Sequence, residues 1–354
     1  MKRIFALKYL HGLILPLLAY VSFNSTGWFT FLPFLEAFVI IPLLELVVKP
    51  NPGNLSEAEE AIRKKDPIYD WQLYIMLPAQ FMLLFVFLGS MQEVGLTLID
   101  KIGRISSMGI LCGVVGINVA HELGHRNTWY EQLMAKALLL SSLYMHFFIE
   151  HNKGHHRNVS TKEDPASARF GEVLYAFWVR SVVYSYASAW KIESEKLKKL
   201  GKPFLSFSNE MLLFQLIQVG LTVCIGLFFG WTVMGYFVAA AVMGFLLLET
   251  VNYIEHYGLE RDRKESGYER VMPHHSWNSD HIVGRVVLFE LSRHSDHHFI
   301  ASRKYQILRH IEESPQMPTG YPGMMLMATF PPLWFSVMNP KIKRLKKDKL
   351  SSAA

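Results

Sequence analysis

Cysteine is almost missing from this 354-residue chain, which has two, Cys112 and Cys224. That excludes a disulfide scaffold, a Cys-ligated zinc module and an iron–sulfur cluster built within the chain. Charge is scarce too: Asp, Glu, Lys and Arg make up 19% of residues, against roughly 25% in soluble proteins. So little charge cannot cover a soluble surface. There is no flavin or nicotinamide fingerprint and no CxxC pair, so the chain has no redox carrier of its own. No repeat, Gly/Ser linker or low-complexity tract divides it. Apolar residues, by contrast, reach 51%, with 24 Phe, 15 Tyr and 8 Trp, which excludes disorder. The unusual count is 15 histidines, most of them in a few short clusters.

A hydrocarbon core of about 30 Å needs about 20 mostly apolar residues in a helix. Spans are predicted at Leu7–Phe23, Trp28–Val48, Leu73–Met91, Ile105–Ala120, Met211–Phe229 and Val233–Asn252. Lys2, Arg3 and Lys8 before the first apolar run mimic a signal peptide. Five more spans follow and no clear small-x-small cleavage site is present, so the run reads as the first span. The outer connections would be Asn24–Gly27, Gln92–Arg104 and Gly230–Thr232, which hold only Lys101 and Arg104 of the 36 Lys and Arg. That asymmetry is the positive-inside rule and places both termini in the cytoplasm. The net charge of +6 therefore reports topology and requires no nucleic acid. Asn51–Asp70 reads as a polar loop. The expected architecture is all-α: one membrane domain over residues 1–354, with a cytoplasmic cap from 150–210 and 255–354.

The histidines fall into boxes. His121-Glu-Leu-Gly-His125 follows the fourth span, and its i, i+4 spacing puts both imidazoles on one helical face. H-E-x-x-H is also the zincin signature, with Glu122 as would-be general base, so this box alone is ambiguous. The second box is His151, His155 and His156 after Glu150; the third is His294, His297 and His298 around Asp296; His256 ends the sixth span. One zinc takes about four ligands, so nine histidines are too many for one metal and about right for two. Imidazole ligation suits iron, copper, nickel or zinc. A lone histidine is more often a surface or core residue, but clustered ligand spacings at the membrane boundary are not tags. If the apolar stretch Gln132–Ile149 crossed the membrane, the first two boxes would sit about 30 Å apart on opposite faces. That stretch must be re-entrant or lie inside the bundle.

HELGHR, EHNKGHH, LSRHSDHH and NYIEHYG resemble the boxes of the integral-membrane alkane 1-monooxygenases. The likeness extends to NVSTKEDPASAR (158–169), PHHSWNSDH (273–281), Gly320-Tyr-Pro-Gly323 and Pro331-Pro-Leu-Trp334, and covers about residues 116–340. Three such boxes are shared with membrane fatty-acid desaturases and xylene monooxygenases; NYIEHYG and RHSDHH narrow the match to hydroxylases. Arg126 departs from the Lys expected in many alkane hydroxylases and resembles the xylene type. The resemblance implies a six-span fold with a histidine-rich di-iron cap. It implies two iron ions held by His121, His125, His151, His155, His156, His256, His294, His297 and His298. It further implies O2-dependent terminal hydroxylation of medium- or long-chain n-alkanes to primary alcohols in a bacterial inner membrane. The electrons would come from a rubredoxin in trans, fed by an NAD(P)H-dependent reductase. No separate catalytic acid or base is expected, because a methyl C–H bond is too strong and non-polar for acid–base activation and the metal must carry the chemistry.

Other residues have plainer expected roles. Glu122, Glu150, Glu255 and Asp296 are placed to accept the second imidazole N–H of ligands, or to be solvated helix-end charges. His146 reads as a structural residue, His11 and His310 as interfacial, and His274, His275 and His281 as weak candidates near the site. An alkane would enter laterally from the bilayer; Phe81, Met82, Phe85 and Phe87 could line that path, although such residues usually face lipid or pack a core. Lys341–Lys349 and Lys196–Lys202 are candidate donor-docking patches or headgroup anchors. Three rivals stand: a xylene-type hydroxylase, a desaturase, and a metal transporter. A transporter should carry mid-membrane charge, and only Glu36, Glu45 and Glu249 interrupt the spans.

Overall fold

The computed structural model describes residues 2–265 and 267–353. Six helices are long and apolar enough to cross a bilayer: Ala6–Phe23, Gly27–Val47, Ile68–Ser90, Leu98–Gly124, Glu210–Phe229 and Trp231–His256. They are called spans 1 to 6, and they make this a multi-pass membrane protein. Span 4 is the most enclosed, with 78% of its apolar window buried. It packs on span 6 with the backbones in close approach. A Cβ on Gly244 would collide with the side chain of Cys112, so glycine at that crossing is what lets the two helices meet.

The stretch after the first histidine box does not cross. Trp129–Leu140 is a 12-residue helix, about 18 Å long, too short for a core of about 30 Å. It runs back along span 4, turns at Ser141–His146 and returns through Phe147–Glu150. The buried turn is tied down by its neighbours. Gln80 Nε2 donates to Ser141 Oγ (3.0 Å), Ser142 Oγ to the Cys112 carbonyl (2.9 Å), and the Met145 N–H to Gln218 Oε1 (3.0 Å). Non-helical backbone at this depth persists only where protein satisfies its polar groups. The re-entrant hairpin expected from the box parity is present, and it brings the second box to the same end of the bundle as the first.

Two features differ from the sequence reading. Lys101 and Arg104 belong to span 4 rather than to a loop, because a Thr97–Asp100 capping box starts that helix early. Arg104 is buried and clamps the end of the bundle remote from the histidines. It donates to the Ser90 carbonyl (2.6 Å), the Ser25 carbonyl (2.9 Å) and Glu93 (2.9 Å). Secondly, Leu174–Lys199, inside the expected cap, is a 26-residue helix. It buries Leu174, Phe177, Ser181, Ser185, Ala189 and Glu193 on one stripe and exposes Tyr175, Val179, Val183 and Tyr184 on the other.

The three carboxylates that interrupt the predicted spans, Glu36, Glu45 and Glu249, are all turned inward. Glu249 accepts from Tyr144 (2.9 Å) and Ser181 (2.5 Å), and Glu45 accepts the Gly284 N–H (2.9 Å). Glu36 is buried with Oε1 3.9 Å from His11 Nε2. Phe87 packs on Phe23 in the core, while Met82 and Phe85 are exposed on the outer face of span 3. Replacing Arg104 with Met should remove the clamp at a cost of about 3 kcal/mol, lowering the thermal unfolding midpoint by several degrees, whereas Lys101→Met should leave it in place. Equal midpoints for the two variants in detergent thermal-shift assays would contradict the clamp.

Candidate metal centre

The histidines are delivered by five short helical pieces at one end of the bundle. His121 sits in the last turn of span 4, with His125 just past it; His256 ends span 6. His151–His155 is a π-helix followed by a helical turn starting at His156. Wider π winding lets residues four and five apart face the same way, a device common at functional sites. Gly154 is required there, because a Cβ would strike the Glu150 carboxylate. His294–Phe299 carries the last three.

All nine come together, in two groups. His121, His125, His151, His156 and His297 form one; His155, His256, His294 and His298 form the other, with the ligand atoms of each group within 4.8 Å of one another. Neighbours in sequence part company: His155 and His156 go to different groups, as do His297 and His298. Successive residues of an α-helix point about 100° apart, so each of these pairs stands between the two sites. The contacts are between Nε2 atoms: His125–His151 3.1 Å, His151–His156 3.0 Å and His156–His297 3.1 Å in the first group. In the second, His155–His298 is 3.2 Å and His256–His294 is 3.3 Å.

These distances fit a metal. Imidazoles bound about 2.0–2.1 Å from one cation are about 3 Å from each other. The ring chemistry fits as well. Burial pushes His125 down to about 3 and holds His151, His156, His294, His297 and His298 well below the usual imidazole range. They are neutral at pH 7 and offer lone pairs. His121 Nε2 is buried with no hydrogen-bond partner among the described residues, as expected of a nitrogen aimed at a cation. Each group therefore has the donor set of a metal-binding site.

His155 differs from the rest. Burial opposes its protonation, but the Asp164 carboxylate outweighs that and raises it. Its Nδ1–H donates to Asp164 Oδ2 at 2.9 Å. Ser167 Oγ (2.5 Å) and the Ala166 N–H (3.1 Å) hold the same carboxylate. A carboxylate behind a ligating histidine fixes its tautomer and makes it a stronger donor.

The four carboxylates nominated from sequence do not do this. Glu122 is paired with Arg126 (2.6 Å) and accepts the Tyr305 N–H (3.2 Å), which also removes the general base of a zincin. Glu150 accepts from Ser188 (3.4 Å). Asp296, although on the ligand helix, turns outward to the Arg309 N–H (2.8 Å) and Arg303 (3.3 Å). Glu255 faces the ligating side instead: Oε2 lies 3.1 Å from His294 Nε2, while Tyr321 donates to Oε1 (2.7 Å). Asp164 was missed because it lies nine residues beyond His155, around a turn, where helical spacing gives no signal.

The remaining histidines stay outside both groups. His146 packs edge-on against Tyr144 (4.3 Å). His281 pairs with Ser279 (3.0 Å) and His310 with Asp280 (2.7 Å). His274, His275 and Glu269 cluster on their own. There His275 Nδ1 accepts the Met272 N–H (2.9 Å) and Nε2 lies 3.2 Å from Glu269, so both of its nitrogens are engaged.

An apolar cavity leads to the centre. Leu15, Phe38, Ile110, Val114, Leu247 and Val251 line its length, and it ends on Asn118, His121, His151, Asn252, Glu255 and His294. Since His121 and His151 belong to one group and His294 to the other, the cavity opens between the two sites. None of Phe81, Met82, Phe85 and Phe87 lines it.

Asp164→Asn should lower metal affinity 10–100-fold in a folded protein, while Asp296→Asn should keep its metal. Plasma mass spectrometry of the purified variants after dialysis against a chelator tests this; the reverse order would overturn the assignment.

Residues 104–327 match the model of the fatty acid desaturase family. An alkane 1-monooxygenase 2 of Pseudomonas aeruginosa is 41% identical over 309 residues, covering 86% of this chain and 82% of the relative. An alkane 1-monooxygenase 1 of the same organism is 46% identical over 246 residues, covering 69% and 64%. The hydroxylase component XylM of a xylene/toluene monooxygenase from Pseudomonas putida is 29% identical over 287 residues, covering 79% and 76%. With its boxes gathered into one buried centre at the end of an apolar cavity, this chain belongs to the integral-membrane alkane 1-monooxygenase family.

Proposed function

We propose that the protein is a non-haem di-iron enzyme that hydroxylates the terminal methyl group of n-alkanes, with the nine histidines as iron ligands. The balance is RH + O2 + 2e⁻ + 2H⁺ → ROH + H2O. When bound, the irons supply O2 activation strong enough to break an unactivated C–H bond. The observation that carries the reading is the cavity: an apolar space whose wall includes His121 and His151 of one histidine group and His294 of the other. Its walls hold the chain by burial alone, worth about 25 cal/mol per Å² of apolar surface, and leave a terminal carbon facing the ligand cluster. They also exclude water from the reacting end. Asn118, Asn252 and Tyr321 put hydrogen-bonding groups only at that end, where a hydroxyl product would be formed.

The protein works as a single membrane-bound unit in the bacterial inner membrane, with both termini and the centre on the cytoplasmic side. The concentration of Lys and Arg on that side supports this orientation. The protein takes electrons from a rubredoxin reduced by an NAD(P)H-dependent reductase. Glu36, Glu45 and Glu249 are engaged with His11, Gly284 and Tyr144 inside the bundle, which favours a structural role for them over a transport path.

Cells expressing the chain with rubredoxin and reductase, fed graded n-alkanes under 18O2, should make labelled primary alcohol, and His294→Ala cells should make none. Unlabelled alkenes would move the protein to the desaturases. Val114 lies seven residues before His121 on span 4, about 10 Å along the helix. Val114→Phe should therefore cut the hexadecane-to-octane product ratio at least tenfold with iron content unchanged; an unaltered ratio would remove the cavity from the substrate path.

A further inference from the structure

We propose that the open groove between residues 153–169 and the helix Leu174–Lys199 is the docking surface for a small acidic one-electron carrier. The inference rests on the hydroxylase reading above, which requires electrons from outside the chain. It fixes where they enter.

Three observations point to this groove. Lys153, Arg157, Lys162, Arg169 and Lys191 line it and are exposed, and among the described residues none is ion-paired to a carboxylate. Arg180, also in the groove, is by contrast locked to Glu172 (2.6 Å). Five cations outside any ion pair, with Arg180, outnumber the three carboxylates of the same lining, Glu163, Asp164 and Glu195, and leave a net positive field that steers and orients an acidic partner.

The rival basic patches are partly neutralised within the chain, and neither has a described contact that leads to a histidine of the centre. Lys196 is held by Glu193 (3.1 Å) and Glu210 (2.8 Å). On the last helix, Lys346 meets Glu260 (3.4 Å) and Lys349 meets Asp262 (2.6 Å).

Position is the third observation. Gly154, between His151 and His155 in the chain, and Asp164, whose carboxylate holds His155, both line the groove. From this surface a single hydrogen bond reaches a ligand imidazole. A carrier seated here delivers one electron per encounter and leaves oxidised by one electron, so two encounters supply the two electrons of each turnover.

A lipid phosphate fits the groove less well. A single phosphate would meet one or two of these cations with Glu163, Asp164 or Glu195 beside them, whereas a protein face bearing several carboxylates can engage all five cations.

The test compares two triple variants in nanodiscs of phosphatidylcholine, with an acidic rubredoxin as probe. One is Lys162→Glu/Arg169→Glu/Lys191→Glu, none of them within two residues of a histidine ligand. The other is Lys343→Glu/Lys346→Glu/Lys347→Glu on the last helix. The groove triple should raise the rubredoxin Kd, and the KM for reduced rubredoxin, at least tenfold; the helix triple should change both less than twofold. Iron content and alkane turnover driven by dithionite, which needs no docking, should equal wild type in both. Unchanged binding in the groove triple, loss confined to the helix triple, or no binding by wild type would each overturn the proposal. Unchanged donor binding together with lost phosphatidylglycerol retention in native mass spectrometry would assign the groove to lipid. Absence of dithionite-driven alcohol formation in wild type would instead sink the hydroxylase reading, and the binding comparison would still decide the docking surface.

Discussion

Nine imidazoles meeting in one buried space are the constraint on which the rest of the molecule turns. Nitrogens 3.0–3.3 Å apart, cut off from water, carry lone pairs that converge and need a cation between them. To deliver them, spans 4 and 6 must end at the same level, which fixes their crossing at Gly244. The chain between the first two boxes must also return without crossing, which is why a helical hairpin enters the membrane and has its turn satisfied by Gln80, Cys112 and Gln218. The π-turn at His151–His155 then spreads one short segment across both metal positions.

The same arrangement makes the centre asymmetric. One group has five imidazoles and the other four, and the smaller includes the one ligand strengthened by a buried carboxylate, His155. Glu255 looks onto that side as well. An apolar chain arriving through the cavity meets both groups at once, while the charged groove reaches the ligand shell through Asp164 and His155. The cavity and the groove share no lining residue, so the proposed paths of substrate and electrons are separate.

Much of this was legible in the sequence because ligand spacing and membrane crossing obey simple periodicities. The histidine boxes, the number of spans and the re-entrant hairpin all follow from counting residues against helix rise and bilayer thickness. What was hidden depends on folding at longer range. Asp164 reaches His155 only after the chain turns at Ser160, whose φ is 57°. The helix Leu174–Lys199 conceals its periodicity, since its buried stripe interrupts Leu174, Phe177 and Ala189 with Ser181, Ser185 and Glu193. The cavity wall draws on spans 1, 2, 4 and 6, so no single segment marks it, and the aromatics of span 3 pointed elsewhere.

Mössbauer spectroscopy of the 57Fe-loaded protein in nanodiscs tests the central claim most directly. Two irons per chain in five- and four-imidazole surroundings should give two distinct quadrupole doublets of equal area. Asp164→Asn should perturb only one of them. A single doublet at one iron per chain, or two sites that respond identically to that substitution, would contradict the account.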